Sequence, residues 1–214
     1  MNLICKEHIV NSIKNAELNL SKLNNSALGV LGETGLKNRH FLNNLLEFPE
    51  GNNINYLEIG IKNGATLVSS LYKNKINSAY AVEIDKTNTS SILNLKELFK
   101  ISFNFLNEDC FKLDLSKITN KINVYLFDGG HTYEDHYMSL KYYYEILDDQ
   151  FIFIVDDWIN SDDKHYMEWK QVSEATLDSI SDLKLKISFE DYKKRINPQE
   201  NNWWGGYWIS ILKK

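Results

Sequence analysis

Apolar residues recur along the chain first with a helical period and then in short unbroken runs. Ile9, Ile13, Ala16, Leu20 and Leu23 are spaced for one helix face, so residues 2–24 are predicted as a helix. Gly29, Gly32 and Gly35 then mark a loop. A second helix is predicted from about Leu36 to Phe48, ended by Pro49 and Gly51. From Asn55 onward strand and helix patterns alternate. Strands are predicted at 56–59, 79–83, 102–106, 124–127 and 151–155. Helices are predicted at 64–72, around 91–99 and at 133–147, the last with Tyr133, Tyr137, Leu140, Tyr144 and Leu147 on one face. Near-continuous apolar strands that alternate with helices imply a parallel sheet covered on both faces. Residues 183–189 and 207–212 both read as strands with no helical pattern between them, which predicts a closing antiparallel hairpin. The expected architecture is α/β, a three-layer sandwich around a mostly parallel seven-stranded sheet. Residues 1–50 form a helical segment of the same domain as residues 51–214.

The strand ends carry the candidate chemistry. The first strand runs through Glu58 into Gly60, and Gly64, Ala65 and Thr66 open the following helix. Ligands in such sheets bind beyond the carboxyl ends of the strands. Gly60 permits a sharp turn and close approach of a ligand, and Gly64 permits close packing at the helix start. The dinucleotide fingerprint places glycine where this chain has Glu58, and an acidic group there repels a pyrophosphate. It suits a cationic ligand group instead. The second strand ends in Glu83, followed by Asp85, and a carboxylate at that position can grip both hydroxyls of a ribose. Asp109 and Cys110 follow the third strand, where an adenine amino group can be read.

Asp128 closes the fourth strand, and Asp156 and Asp157 close the fifth. Neighbouring strands bring these three carboxylates together. Two carboxylates about 4 Å apart repel by roughly 4 kcal/mol at an effective dielectric of 20. A shared proton, a lysine or a divalent metal must offset this. Oxygen-only ligands favour Mg²⁺, with Mn²⁺ as a substitute. The other reading of these carboxylates is helix capping. His131, three residues after Asp128, is placed to take a proton from a substrate hydroxyl.

Composition narrows the function. The chain has 214 residues and a formal net charge of −5 with scattered lysines, which argues against a nucleic-acid partner. No apolar run reaches the roughly 18 residues of a membrane span, and charges interrupt every turn of the N-terminal stretch. A cytoplasmic location without membrane association is expected. Cys5 and Cys110 fit no zinc spacing and are read as free thiols.

The segments LEIGIKNGAT, AVEID, NEDC, LFDGGHTYED, IVDDW and WWGGYWISILKK together resemble the class I S-adenosylmethionine-dependent methyltransferases. Within that class they look most like the metal-dependent macrocin O-methyltransferase group and its small bacterial relatives. The resemblance covers roughly Leu36 to Lys214 and implies a Rossmann-like fold, with residues 51–214 as the cofactor-binding domain. It implies that Glu58, Gly60 and Gly64 line S-adenosylmethionine, that Glu83 holds its ribose, and that Asp109 and Cys110 flank its adenine. It implies Mg²⁺ on Asp128, Asp156 and Asp157, with His131 as general base. Lys62 stands where the group usually has a glycine. The segment 32–35 is a candidate cover for the methionine end of the cofactor. The expected acceptor is a hydroxyl of a small molecule: a sugar, a glycan precursor, a natural product or a catechol-like diol. Trp203 and Trp204 are the favoured aromatic residues for its pocket. An NAD-dependent oxidoreductase and a catalytically silent cofactor-binding module are the alternatives. The N-terminal helix is a candidate contact for a homo-oligomer.

Overall fold

A computed structural model describes residues 5–48, 53–158, 170–194 and 203–214. Three helices come first: α1 (Lys6–Glu17), α2 (Asn25–Leu28) and α3 (Leu36–Leu45). The strand–helix alternation follows as β1 (Asn55–Ile59), α4 (Ala65–Leu71), β2 (Ser78–Val82), α5 (Thr89–Phe99), β3 (Asn104–Leu106), β4 (Ile122–Phe127), α6 (Tyr133–Tyr143) and β5 (Leu147–Val155). The chain then gives α7 (Lys170–Asp182), β6 (Lys186–Lys193) and β7 (Tyr207–Lys213). The strands form one Rossmann-like sheet of order β3-β2-β1-β4-β5-β7-β6. Strands β1 to β5 are parallel, and β7 runs antiparallel between β5 and β6.

Side-chain alternation across the sheet builds two apolar layers. Val124 and Leu126 of β4 face one layer with Phe41, Leu67 and Ile92. Tyr125 and Phe127 face the other with Leu140, Val172 and Ile180. Helices α1 to α5 thus cover one face, and α6 and α7 the other. The C-terminal pair is ordered by composition. Strand β7 is buried along YWISIL and suits an interior position, whereas β6 alternates with Lys186, Glu190 and Asp191 and takes the edge.

Several element boundaries depart from the sequence pattern. The first helix stops at Glu17, because Asn19 takes a left-handed φ of 54°. Leu18 and Leu20 beyond it are exposed, and Asn24 caps the separate α2 by accepting from the Ala27 amide. Met1–Ile4, at the start of the expected helix, lie outside the described residues, as do Pro49 and Gly51. The expected helix 133–147 ends at Tyr143, and after one 3₁₀ turn Leu147 already begins β5. Its buried face is His136, Ser139, Leu140 and Tyr143. Tyr133 and Tyr137 lie toward α7 and donate to Asp178 and Asp182. Helix α7 itself carries no element in the sequence pattern. Among the described residues, no helix is long and apolar enough to cross a membrane.

Candidate functional site

The parallel strands end together, and backbone hydrogen bonds carry the ladder one residue further. The Gly60 amide donates to Val82, Glu83 to Leu106, Asp128 to Ile59 and Asp156 to Phe127. Gly60, Glu83, Asp128 and Asp156 therefore stand in one row at the carboxyl edge of the sheet. Above this row opens a cavity of about 790 Å³, a volume within the range of small-molecule sites.

The turn after β1 is shaped by its glycine. Gly60 has a φ of 81°, and a Cβ on it would stand 1.7 Å from the Asp128 carbonyl oxygen. Lys62 takes the next left-handed position, φ 47°, and its amide donates to Glu83 Oε2 at 2.7 Å. The Asp85 amide donates to the other Glu83 oxygen at 2.9 Å. Glu83 is thereby fixed at the cavity wall, with lone pairs left for a ligand. The loop of Gly32, Glu33 and Thr34 also lines the cavity, and Glu33 pairs with Lys62 at 2.7 Å.

Ten of the residues expected from sequence line this cavity: Gly60, Ala65, Thr66, Glu83, Asp109, Cys110, Asp128, His131, Asp156 and Asp157. Three do not. Gly64 (φ 85°) starts α4, and a Cβ there would lie 2.5 Å from Leu95, so its bareness serves the packing of α4 on α5. Asp85 is exposed and accepts from Thr87. Glu58 is fully buried behind the wall. It accepts from the Tyr56 hydroxyl at 2.7 Å and from the Thr66 hydroxyl. Asp109 accepts from the Phe111 amide and from Lys112. Burial, with Asp109 adding to it, pushes the Cys110 thiol up to about 12, which keeps it protonated and unreactive.

Burial raises Glu58 from 4.5 to about 7. Its folded value exceeds its unfolded value, so its contribution to stability is complete below about pH 4.5 and disappears as pH rises through 7. That span corresponds to about 3 kcal/mol. Glu58→Gln is therefore expected to flatten the loss of thermal stability of the ligand-free protein between pH 5 and 8. Parallel melting profiles for the two proteins would show that Glu58 is not the group responsible.

The inner end of the cavity holds the acidic residues. Asp157 has a left-handed φ of 54° that directs its carboxylate to His131, with Oδ2 2.7 Å from Nε2. This contact raises the imidazole above the ordinary histidine value. Asp156 Oδ1 accepts from the Asp157 amide at 2.8 Å. Gly205, with φ 79°, lies against both; a Cβ on it would meet their oxygens at 2.6 and 2.8 Å. Asp128 is held well above the usual carboxylate range by burial and by Asp156, Asp157 and Glu58. Donor atoms of Asp128, His131 and Asp157 gather within 4.8 Å of one another, and Asp156 is not in that group. His131 is fixed from behind. Thr132 and Asp135 form a capping box at the start of α6, and Gln171 of α7 donates to the His131 carbonyl.

Sequence reading did not single out Ile84, Glu108, Phe111 or Asp135, all of which line the cavity, whereas Trp204 lines it as expected. Ile84 carried a usable signal, as an apolar residue between two carboxylates that ends 65% exposed. Trp203 departs from expectation. It is buried against Phe41 and Tyr207 and donates to Glu17, which makes it a core residue rather than a pocket residue.

No protein-family model matches the chain, and no curated protein matches it in sequence. Solved structures do match it. The O-methyltransferase from Bacillus cereus, determined in complex with S-adenosylhomocysteine, aligns with a TM-score of 0.63 at 12% identity, over 99% of this chain and 93% of that one. Rv0187 from MTB, determined with bound cofactor, aligns at 0.63 and 11% identity over 98% and 92%. TrmK from M. capricolum, with S-adenosylhomocysteine, aligns at 0.54 and 17% identity over 81% and 67%. This chain has the fold of the Bacillus cereus O-methyltransferase. Its N-terminal helices and its antiparallel β7 both fall within the aligned span.

Proposed function

We propose that this protein is an S-adenosylmethionine-dependent O-methyltransferase acting on a hydroxyl of a small molecule. One observation carries the reading: a single cavity runs from the Gly60 turn and Glu83 to His131 held on Asp157. The first end suits a nucleoside, and the second suits deprotonation of an acceptor. The likeness to an O-methyltransferase determined with S-adenosylhomocysteine supports the same assignment. Eight carboxylates and one lysine, Lys62, lie among the described lining residues. That field favours a cationic sulfonium ligand and disfavours the pyrophosphate of NAD. The antiparallel β7 also departs from the order 3-2-1-4-5-6 of dinucleotide-binding sheets.

In this reading Glu83 accepts the ribose hydroxyls, and Ile84, Cys110 and Phe111 enclose the base. Gly60 lets the backbone approach the ligand without a side chain between them. Glu58 orients Thr66 from behind the wall. His131 gives its Nε2 hydrogen to Asp157 and takes the proton of the acceptor hydroxyl at Nδ1, and Asp157 stabilises the resulting imidazolium. Trp204 offers a flat apolar surface to the acceptor. The bound cofactor supplies an activated methyl group, and a divalent ion supplies charge that lowers the pKa of the acceptor hydroxyl. Asp128 and Asp157, with Asp156 beside them, are the residues that would hold Mg²⁺. Their convergence without a lysine or arginine among them fits a divalent cation.

Calorimetric titration with S-adenosylhomocysteine tests the assignment, with NADH as the control. Micromolar binding, about −8 kcal/mol, is expected for S-adenosylhomocysteine and none for NADH. Binding of NADH alone, or of neither ligand, overturns the proposal.

A further inference from the structure

The donor set at the inner end of the cavity is not all oxygen. Asp128 and Asp157 offer carboxylate oxygens, whereas His131 offers an imidazole nitrogen within the same 4.8 Å group. Mg²⁺ has little use for that nitrogen. Zn²⁺, Co²⁺ and Mn²⁺ accept mixed nitrogen and carboxylate ligands, and their affinities for such sites rise toward the end of the first transition row.

The surroundings are built for a fixed imidazole. The capping box and Gln171 hold the His131 backbone, and the ring remains 43% exposed, which leaves an entry path for an ion. A second imidazole is near enough to feel the charge of the first. His136, one turn into α6, is 1% exposed, and neither of its ring nitrogens has a hydrogen-bond partner. It rests edge-on to Phe127 at 5.1 Å, and the groups whose charge reaches it are His131, Asp157 and Asp135. A buried unpartnered polar group calls for an explanation such as an ion or water.

We propose that Asp128, His131 and Asp157 form a site for a borderline transition ion, Zn²⁺ above all, and that its binding withdraws His131 from proton transfer. Nε2 carries the hydrogen given to Asp157, so Nδ1 is the nitrogen that takes the acceptor's proton. Mg²⁺ on the carboxylates leaves the ring hydrogen on Nε2; Zn²⁺ on Nε2 moves it to Nδ1, which then cannot accept a proton. The regulatory consequence rests on the methyltransferase reading above, whereas the metal site does not.

The metal-free full-length protein is titrated with Co²⁺ and then Zn²⁺. Expected are one equivalent of Co²⁺ with the visible bands of an imidazole ligand, displacement by Zn²⁺, and Zn²⁺ affinity well above that for Mg²⁺. His131→Gln and Asp157→Asn should each weaken Zn²⁺ by about 10-fold or more, the scale for disturbed ligand shells. His131→Gln should leave Mg²⁺ affinity unchanged. In a second readout, Zn²⁺ should protect His131 from diethylpyrocarbonate, followed by mass spectrometry. Equal Zn²⁺ affinity in wild type and His131→Gln, or modification of His131 unaffected by Zn²⁺, overturns the proposal. Titration of the same samples with S-adenosylhomocysteine separates the two readings. If it binds and the histidine dependence is absent, only the metal inference fails; if it does not bind and the dependence holds, only the methyltransferase assignment fails.

Discussion

Gly60→Ala is expected to abolish binding of S-adenosylhomocysteine and to destabilise the protein by about 3 kcal/mol or more. The added methyl would sit 1.7 Å from a backbone oxygen of Asp128, which no rotamer can relieve. The φ of 81° adds strain, since a side chain there occupies the left-handed region. The turn can escape only by moving away from β4. That motion breaks the hydrogen bond from Gly60 to Val82 and displaces the Lys62 amide from Glu83. For a chain of this length the destabilisation corresponds to a fall in Tm of roughly 6–12 °C. Differential scanning fluorimetry and calorimetry check both parts. A variant that melts with wild type and still binds the ligand would mean that the turn is not built as described.

The second large effect concerns His131. His131→Ala should lower methyl transfer by about 10²–10⁴-fold, the usual contribution of a general base, without changing affinity for S-adenosylhomocysteine. The ring is partly exposed and its backbone is held by Thr132, Asp135 and Gln171, so the substitution leaves the fold in place. A base works when neutral, so the rate should rise with pH through the imidazole pKa. The Asp157 carboxylate raises that pKa, and Asp157→Asn should move the rise to lower pH. Transfer of a labelled methyl group to a panel of vicinal diols, followed across pH, measures both effects. Retained turnover in His131→Ala removes the residue from the chemistry.

Strands β1, β2, β4 and β5 were legible because their runs are buried on both faces, which leaves an apolar pattern that no surface element imitates, whereas the edge strand β3 is shorter than its pattern and exposes Asn104. Helix α7 was not. It meets the sheet with Val172, Ala175, Thr176, Ser179 and Ile180, a correctly spaced face whose small and hydroxylated members hide it from a hydrophobic count. At the site, strand-end carboxylates could be found because topology alone brings strand ends together. Their individual settings could not. That Tyr56 and Thr66 occupy Glu58 depends on side-chain direction, and that Trp203 is committed to Glu17 depends on a contact across 186 positions. The backbone turn that separates Asp157 from Asp156 and gives it to His131 is a single left-handed residue, which two adjacent aspartates do not announce.

The insertion of β7 between β5 and β6 has a consequence during synthesis. Until residues 207–213 have left the ribosome, β5 and β6 are two open edges with no partner between them. Gly205, which rests on Asp156 and Asp157, also arrives last, and the Trp158 amide waits for the Gly206 carbonyl. A nascent chain can therefore assemble the Gly60 and Glu83 end of the cavity well before the acidic end. A chain interrupted before residue 207 presents unpaired sheet edges, the feature that marks a protein for aggregation.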